Sequence, residues 1–263
     1  MEILSANILQ PLIDIANSVL EFFHGLGLSW GMSIIALTFA TRALLIPLTY
    51  KQIKGMRALQ AFQPQIKELQ EKFKNDRQRL SQEMMKFYQE NKINPLASCI
   101  PLIAQMPVFI TLFYTLRGPL REDICGEADK PCSEVINPAT GALGGFGETF
   151  LFIPDLTGKA TGIVLISLIA IYVVTQLFSG LVMATTADRN QKILMMVLPF
   201  IFIPFIIGFP AGLILYWITT NVWTIGQQAV VNKVIPPPEM ASPEVVAAAK
   251  PPPPPPRKKK RRR

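Results

Sequence analysis

The sequence predicts an all-α polytopic membrane protein. It would have five transmembrane helices, its amino terminus outside and carboxyl terminus inside, and a cytoplasmic helical hairpin between the first two spans. Three observations predict this. Half of the 263 residues are hydrophobic and the mean hydropathy is +0.32, too apolar for an ordinary soluble chain of this length. Five apolar runs approach the ~20 residues that cross a hydrocarbon core. Lysine and arginine collect on alternate loops, the bias that places those loops inside.

Residues 1–28 contain no Lys or Arg and are interrupted by Glu2, Asp14 and Glu21, so they do not resemble a cleaved signal peptide. From Leu12 to Phe23, the polar residues Asp14, Asn17, Ser18 and Glu21 share one helix side, with Ile13, Val19, Leu20 and Phe23 among the apolar residues opposite. This pattern predicts an amphipathic helix, lying on the outer membrane surface or packed on neighbouring loops. The first span covers 29–50. The insert 51–94 is polar but periodic. Ile53, Met56, Leu59, Phe62, Ile66, Leu69 and Phe73 recur before an Asn75-Asp76 turn, with Pro64 marking a kink or a new helix start, and Leu80, Met84, Phe87 and Tyr88 recur after it. Two antiparallel helices zipped by these side chains make the hairpin, whose ten basic residues outnumber five acids.

The second span, 95–116, contains Pro95, Pro101 and Pro107, tolerated in membrane helices where neighbours satisfy the freed carbonyls. The loop 117–160 holds four basic residues against seven acids and belongs outside. Its Gly141–Gly147 stretch is expected to be flexible. Cys125 and Cys132, on the oxidising face, either form a disulfide or remain free; spacing does not decide. The third span (161–184), a short cytoplasmic loop (185–192), the fourth span (193–209) and the fifth (211–231) follow. Residues 236–263 should form a disordered cytoplasmic tail: the stiff Pro251–Pro256 spacer, then Arg257, Lys258, Lys259, Lys260, Arg261, Arg262 and Arg263. Those seven supply nearly all of the net charge of +8, so the basic character is a tail rather than a nucleic-acid-binding fold. Such a tail reaches anionic lipid or ribosomal RNA, and charge alone does not choose between them.

Several function classes are excluded. The single histidine, His24, leaves this chain no His-based metal cluster or Ser-His-Asp triad of its own. No GxxxxGK[ST] phosphate loop is present. Neither catalysis nor a cofactor is expected.

The most informative residue is Arg42, deep in the first span. A charge at the centre of a membrane helix costs about 2.5–3.5 kcal/mol on insertion scales. Lys51, at the wet end, is roughly 13 Å away at ~1.5 Å per residue, too far for easy snorkelling. No Asp or Glu lies in any of the five runs, so Arg42 has no carboxylate partner there. Other polar side chains sit at comparable depth: Thr38, Gln105, Tyr172, Thr175, Gln176, Tyr216, Trp217, Thr220 and Asn221. An unpaired cation among them suits a hydrated recess that attracts negative charge. It fits poorly with a proton relay, which uses intramembrane acids. A carrier or channel for a small anion, with Arg42 as the binding charge, is the alternative, although no repeated half of the kind carriers show is visible.

Specific motifs carry a resemblance. Asn94-Pro95-Leu96 followed by Cys99-Ile100-Pro101-Leu102-Ile103-Ala104-Gln105-Met106-Pro107-Val108-Phe109 resembles the second core span of YidC-type membrane protein insertases. So do Thr38-Phe39-Ala40-Thr41-Arg42, Arg79-Leu80-Ser81-Gln82-Glu83-Met84-Met85, and Gly212-Leu213-Ile214-Leu215-Tyr216-Trp217 with Asn221 and Gln227-Gln228. The matches run in order from about residue 29 to 232. The resemblance implies a five-helix core with a hydrophilic groove open to cytoplasm and lipid but closed outside, lined by Arg42, Thr38, Gln105, Gln176, Tyr216 and Trp217. It also implies insertion and chaperoning of nascent membrane-protein clients without nucleotide hydrolysis. The partners it suggests are the ribosome, the Sec translocon, targeting factors and anionic lipids. The large periplasmic domain and the lipid-modified amino-terminal cysteine of some members are not seen in this sequence. The cysteine-bearing loop and the basic tail are not hallmarks of the family.

Overall fold

The computed structural model describes residues 2–91, 100–183 and 189–234. Asn94–Cys99 of the second-span motif and the whole basic tail therefore lie outside the described residues. The chain divides into two compact units, one from residues 1–56 and 95–236, the other from 57–94 and 237–263. Among the described residues the regular structure is helical, and β pairing is limited to isolated bridges.

In the first unit, α1 (Glu2–Gly25) packs on α2 (Trp30–Leu44) and α6 (Ile100–Arg117). Leu20 and Ile13 are its buried contacts, while Leu12, Ile15 and Phe22 remain exposed. The polar side is not simply solvated: Asn17 Nδ2 donates to Asp123 Oδ2 at 2.7 Å, tying α1 to α7 (Pro119–Cys125). His24 stacks on Trp30 at 3.9 Å, fixing the entry to α2, and Ser29 caps that helix through Met32 N.

The apolar run predicted as one span, 29–50, is interrupted at Leu45, where α2 ends and α3 (Ile46–Ala61) begins. Pro47 accounts for the break: it has no N–H for the Ala43 carbonyl, and its ring crowds that carbonyl. The chain hardly changes course, because Leu45 N still reaches Thr41 O at 3.1 Å and Thr49 N reaches Leu45 O at 2.9 Å. Arg42 consequently stands in the last turn of α2.

Helix α8 (Gly162–Met183) packs on α9 (Arg189–Ile206) and α10 (Ala211–Val234), and α10 also contacts α2 and α6. Among the described residues, Gly162–Val182 is the stretch both long and apolar enough to cross a membrane; Trp30–Leu44 and Met196–Ile206 are apolar but shorter. Only 17% of the most apolar window in Gly162–Val182 is buried. Ile163, Ile166, Val174, Phe178 and Leu181 on α8 and Val197, Phe200, Ile201 and Phe205 on α9 are exposed. A soluble protein would bury such surfaces, whereas hydrocarbon is their natural solvent.

The buried core collects at the end of the bundle that carries the 117–160 loop: Ile34, Leu116, Leu120, Leu156, Leu213 and Ile214. Within this loop the Gly141–Gly147 stretch is hydrogen-bonded: Gly141 N donates to Asn137 O and Gly144 N to Val135 O, at 2.8 and 2.9 Å. Glu148 is buried and accepts from Gly145 N and Phe146 N, each at 2.7 Å, so the glycine turns are pinned around a carboxylate. Asp155 similarly accepts from Ser133 N, Thr157 N and Thr157 Oγ1 at 3.0, 2.7 and 2.7 Å. The Sγ atoms of Cys125 and Cys132 lie at bonding distance, with Cα atoms 5.7 Å apart. The loop then clamps α10, as Ala211 N donates to Gly158 O and Gly212 N to Leu156 O, both at 2.8 Å.

The second unit contains α4 (Gln63–Lys72) and α5 (Arg77–Glu90), antiparallel helices separated by a short turn. Pro64 opens α4 and Asp76 caps α5 through Arg79 N at 3.0 Å. Ile66 is buried, and Phe62 meets Phe87 edge to face at 5.8 Å, so the predicted stripes do face one another.

Gly212 is a point of tight closure in the bundle. A Cβ there would stand 2.9 Å from both Leu116 Cδ2 and Leu156 O, and 3.2 Å from Ile34 Cδ1. Gly212→Val should therefore destabilise the protein by about 1–3 kcal/mol through overpacking. A lowered thermal midpoint in detergent is the expected readout. Gly226→Ala, where an added Cβ meets nothing within 4 Å, should leave the midpoint unchanged or slightly raised. A Gly212→Val protein that melts like its parent would show that this end is not tightly packed.

Candidate functional site

The candidate site lies along the seam between α2–α3 and α10. Phe39, Arg42, Ile46 and Tyr50 recur at helical spacing on one strip, and Tyr216, Thr220, Trp223 and Gln227 do so on α10. Phe39 meets Trp223 edge to face at 5.0 Å. Beyond that contact the helices part around an apolar cavity of about 540 Å³, lined by Phe39, Ile46, Tyr50, Trp223, Gly226 and Gln227 among others. Trp223 Nε1 donates to Gln227 Oε1 at 2.8 Å, satisfying the indole within α10.

Three polar atoms in the seam have no such satisfaction. Arg42 Nε is buried and finds no hydrogen-bond partner among the described residues, and the buried Tyr216 hydroxyl and Thr220 Oγ1 have no partner beyond each other. Arg42 and Tyr216 are close enough to interact electrostatically. An unsatisfied buried polar group costs roughly 1–3 kcal/mol, and a charged one more. Such a cluster stays charged and open only where water or a polar guest can reach it. Arg42 also sits at the carboxyl end of α2, where the helix dipole favours a cation.

The other predicted residues divide. Thr38 is fully buried and its hydroxyl donates to Ile34 O at 2.7 Å, so it shares the face of Arg42 but spends its donor on its own helix. Trp217, one residue and ~100° from Tyr216, points into an aromatic cluster instead. It stacks on Phe109 at 5.1 Å and approaches Phe209, Tyr172 and Phe202 at 5.8, 5.9 and 6.1 Å. Gln105 on α6 and Gln176 on α8 are half-buried and make no hydrogen bond among the described residues. Beside Gln176, Asn221 Nδ2 donates to Thr175 Oγ1 at 3.3 Å and links α10 to α8. Thus the structure joins Arg42 with Tyr216 and adds Thr220, whereas Thr38 and Trp217 serve packing. Gln52 was missed. Its buried Nε2 is also without a partner, but its position among basic hairpin residues gave no hint of burial.

Fold and site together define a class: a helical membrane bundle with a buried, unpaired cation in a seam that is tight at one end and open at the other. The chain belongs to the 60Kd inner membrane protein family, whose family model matches residues 22–238. It is 39% identical over 227 residues to the membrane protein insertase YidC of Streptomyces avermitilis, a match covering 80% of this chain and 53% of that protein. It is 34% identical over 215 residues to the YidC of Haemophilus influenzae, covering 82% and 35%. The chain thus spans about half, or less, of the length of these curated relatives. A crystal structure of an active YidC insertase with its first transmembrane domain resolved superposes with a TM-score of 0.62 at 22% identity. That likeness covers 86% of this chain and 46% of the other, and it establishes the shared fold.

Wetness of the seam is directly testable. In a background where Cys99, Cys125 and Cys132 are replaced by Ser, Thr220→Cys should react with a small water-soluble thiol reagent, because thiolate formation needs water. Leu213→Cys, at the sealed end, should stay unreactive. Equal protection of both positions would mean that the seam is dry.

Proposed function

We propose that this protein is a membrane protein insertase and chaperone that works by physical rather than chemical means, without nucleotide. The single observation that carries the reading is the buried Arg42 guanidinium facing Tyr216 in the seam, within a chain of an inner-membrane family whose relatives bear the insertase name. Five spans cross the bilayer at 29–50, 95–116, 161–184, 193–209 and 211–231. The 117–160 loop lies outside, with Cys125 and Cys132 bridged, and the open end of the seam faces the cytoplasm and lipid.

A nascent segment with a short, often acidic flank enters from the cytoplasmic side. In a recess of effective dielectric about 20, two unit charges 4 Å apart attract by about 4 kcal/mol, against about 1 in bulk water. That attraction and the water in the groove offset the desolvation of the flank. The hydrophobic segment then leaves sideways beside the third and fifth spans, drawn by burial of its own apolar surface at roughly 25 cal/mol per Å². Gln105 and Gln176 line the route, and Thr38 and Trp217 support its walls by packing behind them. The hairpin and the basic tail 257–263 contact the ribosome or anionic lipid, and the Sec translocon and targeting factors are further partners.

Arg42→Ala should slow insertion of clients with acidic translocated flanks severalfold, while Arg42→Lys keeps most of the activity. Insertion assays in cells depleted of the native protein would read this. Equal losses for acidic and neutral flanks would rule out attraction as the role of the charge, and lost small-anion flux with normal insertion would favour a carrier. Deleting residues 257–263 should weaken binding to ribosomes or anionic vesicles, most strongly at low salt. Binding that is unaffected at low salt would remove the tail from this scheme.

A further inference from the structure

The 117–160 loop holds a second cavity, of different character. Its volume is about 360 Å³, and its walls mix charged and apolar groups. Arg117 at the end of α6, Arg121 on α7 and Lys159 just before α8 converge on it, with the Ser133 and Thr161 side chains beside them. Asp129 and Glu134 also line it, and Gly208 and Pro210 of the α9–α10 turn close one wall.

The three cations are poorly neutralised. Among the described residues, no carboxylate lies within 4.0 Å of any of them. Arg121 is only 7% exposed. Its Nη2 donates to Thr157 O at 2.8 Å and its Nη1 more loosely to Ala128 O at 3.4 Å, while Nε is buried without a partner. Carbonyl oxygens orient this guanidinium but do not cancel its charge. Burial, and then the like charge of Arg117, pull the Arg121 pKa below its ordinary value, with Asp155 and Glu134 opposing. Arg121 is buried and Arg117 is exposed over the Phe113 ring at 5.1 Å, so two guanidinium charges meet at the mouth of the cavity and favour an anion between them. Guanidinium forks match phosphate oxygens, and hydroxyl groups such as those of Ser133 and Thr161 can donate to the remaining ones.

Charge and position narrow the choice further. Among the lining residues three cations exceed two acids by one, and Asp155, which also acts on Arg121, is engaged by Ser133 N and by the Thr157 N–H and hydroxyl, so the wall suits a singly charged phosphodiester better than a dianion. The cavity lies where α6 ends, α8 begins and α9 turns into α10, the level at which apolar helices give way to headgroups. We propose that this cavity binds a phosphate group, that of a phospholipid headgroup, through Arg117, Arg121 and Lys159. The site lies apart from the Arg42 seam and needs no insertase activity; only the lipid as source rests on the helices spanning a membrane.

The test uses the full chain in detergent, with native mass spectrometry and thermal midpoint as readouts. Phosphatidylglycerol should be retained and should raise the midpoint, whereas diacylglycerol, lacking the phosphate, should do neither. Arg117→Gln combined with Lys159→Gln should cut retention about tenfold, as loss of charge-assisted hydrogen bonds would. Lys130→Gln removes an exposed charge of the same loop that does not line the cavity, and should behave like the parent. Equal retention by the double variant and the parent would overturn the site. Stabilisation by inorganic phosphate but not by phosphatidylglycerol would overturn the lipid source and leave a free anion as the ligand. Neither result touches the role of Arg42, because insertion is not measured.

Discussion

A guanidinium held between apolar helices, with no acid at its depth, is the constraint to which the rest of the bundle answers. Arg42 stays protonated under all physiological conditions, so it cannot escape its environment by losing its charge. The surroundings must be polar instead. They are so in a selective manner. Most hydroxyls of the bundle are silent: those of Thr38, Thr115, Thr219 and Thr224 each donate to a carbonyl of their own helix at 2.7–2.9 Å. These threonines behave as compact packing residues that let helices approach. Tyr216 and Thr220 donate to no carbonyl of their own helix; Tyr216 faces the cation and Thr220 faces Tyr216.

A charge in a recess acquires direction only if the recess opens one way. The packing around Gly212 supplies the closed end, where Ile34, Leu116 and the backbone of Leu156 leave no room for a side-chain atom. Toward Gly226 the same two helices separate around a cavity, and an added Cβ would meet nothing. The two glycines of α10 therefore have opposite surroundings. The hydrogen bonds from the Gly158 and Leu156 carbonyls make the seal part of the loop as well as of the helices.

How much of this was legible in the sequence depends on whether a residue acts through its depth or through its neighbours. Arg42 and Tyr216 could be found from depth alone, because a polar group within an apolar run always needs an explanation. Periodicity also placed the facing stripes of the hairpin, where Phe62 meets Phe87 and Ile66 is buried. Pairing was not legible. Spacing puts Thr38 on the face of Arg42, but it does not reveal that the Ile34 carbonyl takes its hydroxyl. Tyr216 and Trp217 are adjacent in sequence and face different partners, a ~100° turn that a shared depth conceals. The glycines of 141–147 suggested mobility because the acceptors that pin their neighbourhood belong to Glu148. Asn17 and Asp123 are separated by 106 residues, beyond any local pattern. Pro47 did announce a break, but a continuous apolar run obscured it.

The ~100° between Tyr216 and Trp217 also explains how unpaired polar atoms coexist with a stable bundle. A seam with such atoms lacks the hydrogen bonds that would otherwise fix its walls. Here one wall is fixed from behind. Trp217 stacks on Phe109 of α6 and touches Tyr172 of α8, Phe202 of α9 and Phe209, so its indole joins α10 to three helices at once. Aromatic contacts of this kind add about 0.5–1.5 kcal/mol each beyond simple burial. The backbone that carries Trp217 carries Tyr216 too, so the dry cluster sets the position of the hydroxyl that faces Arg42. The polar side of α10 can thus remain under-packed because its aromatic side is held on three helices.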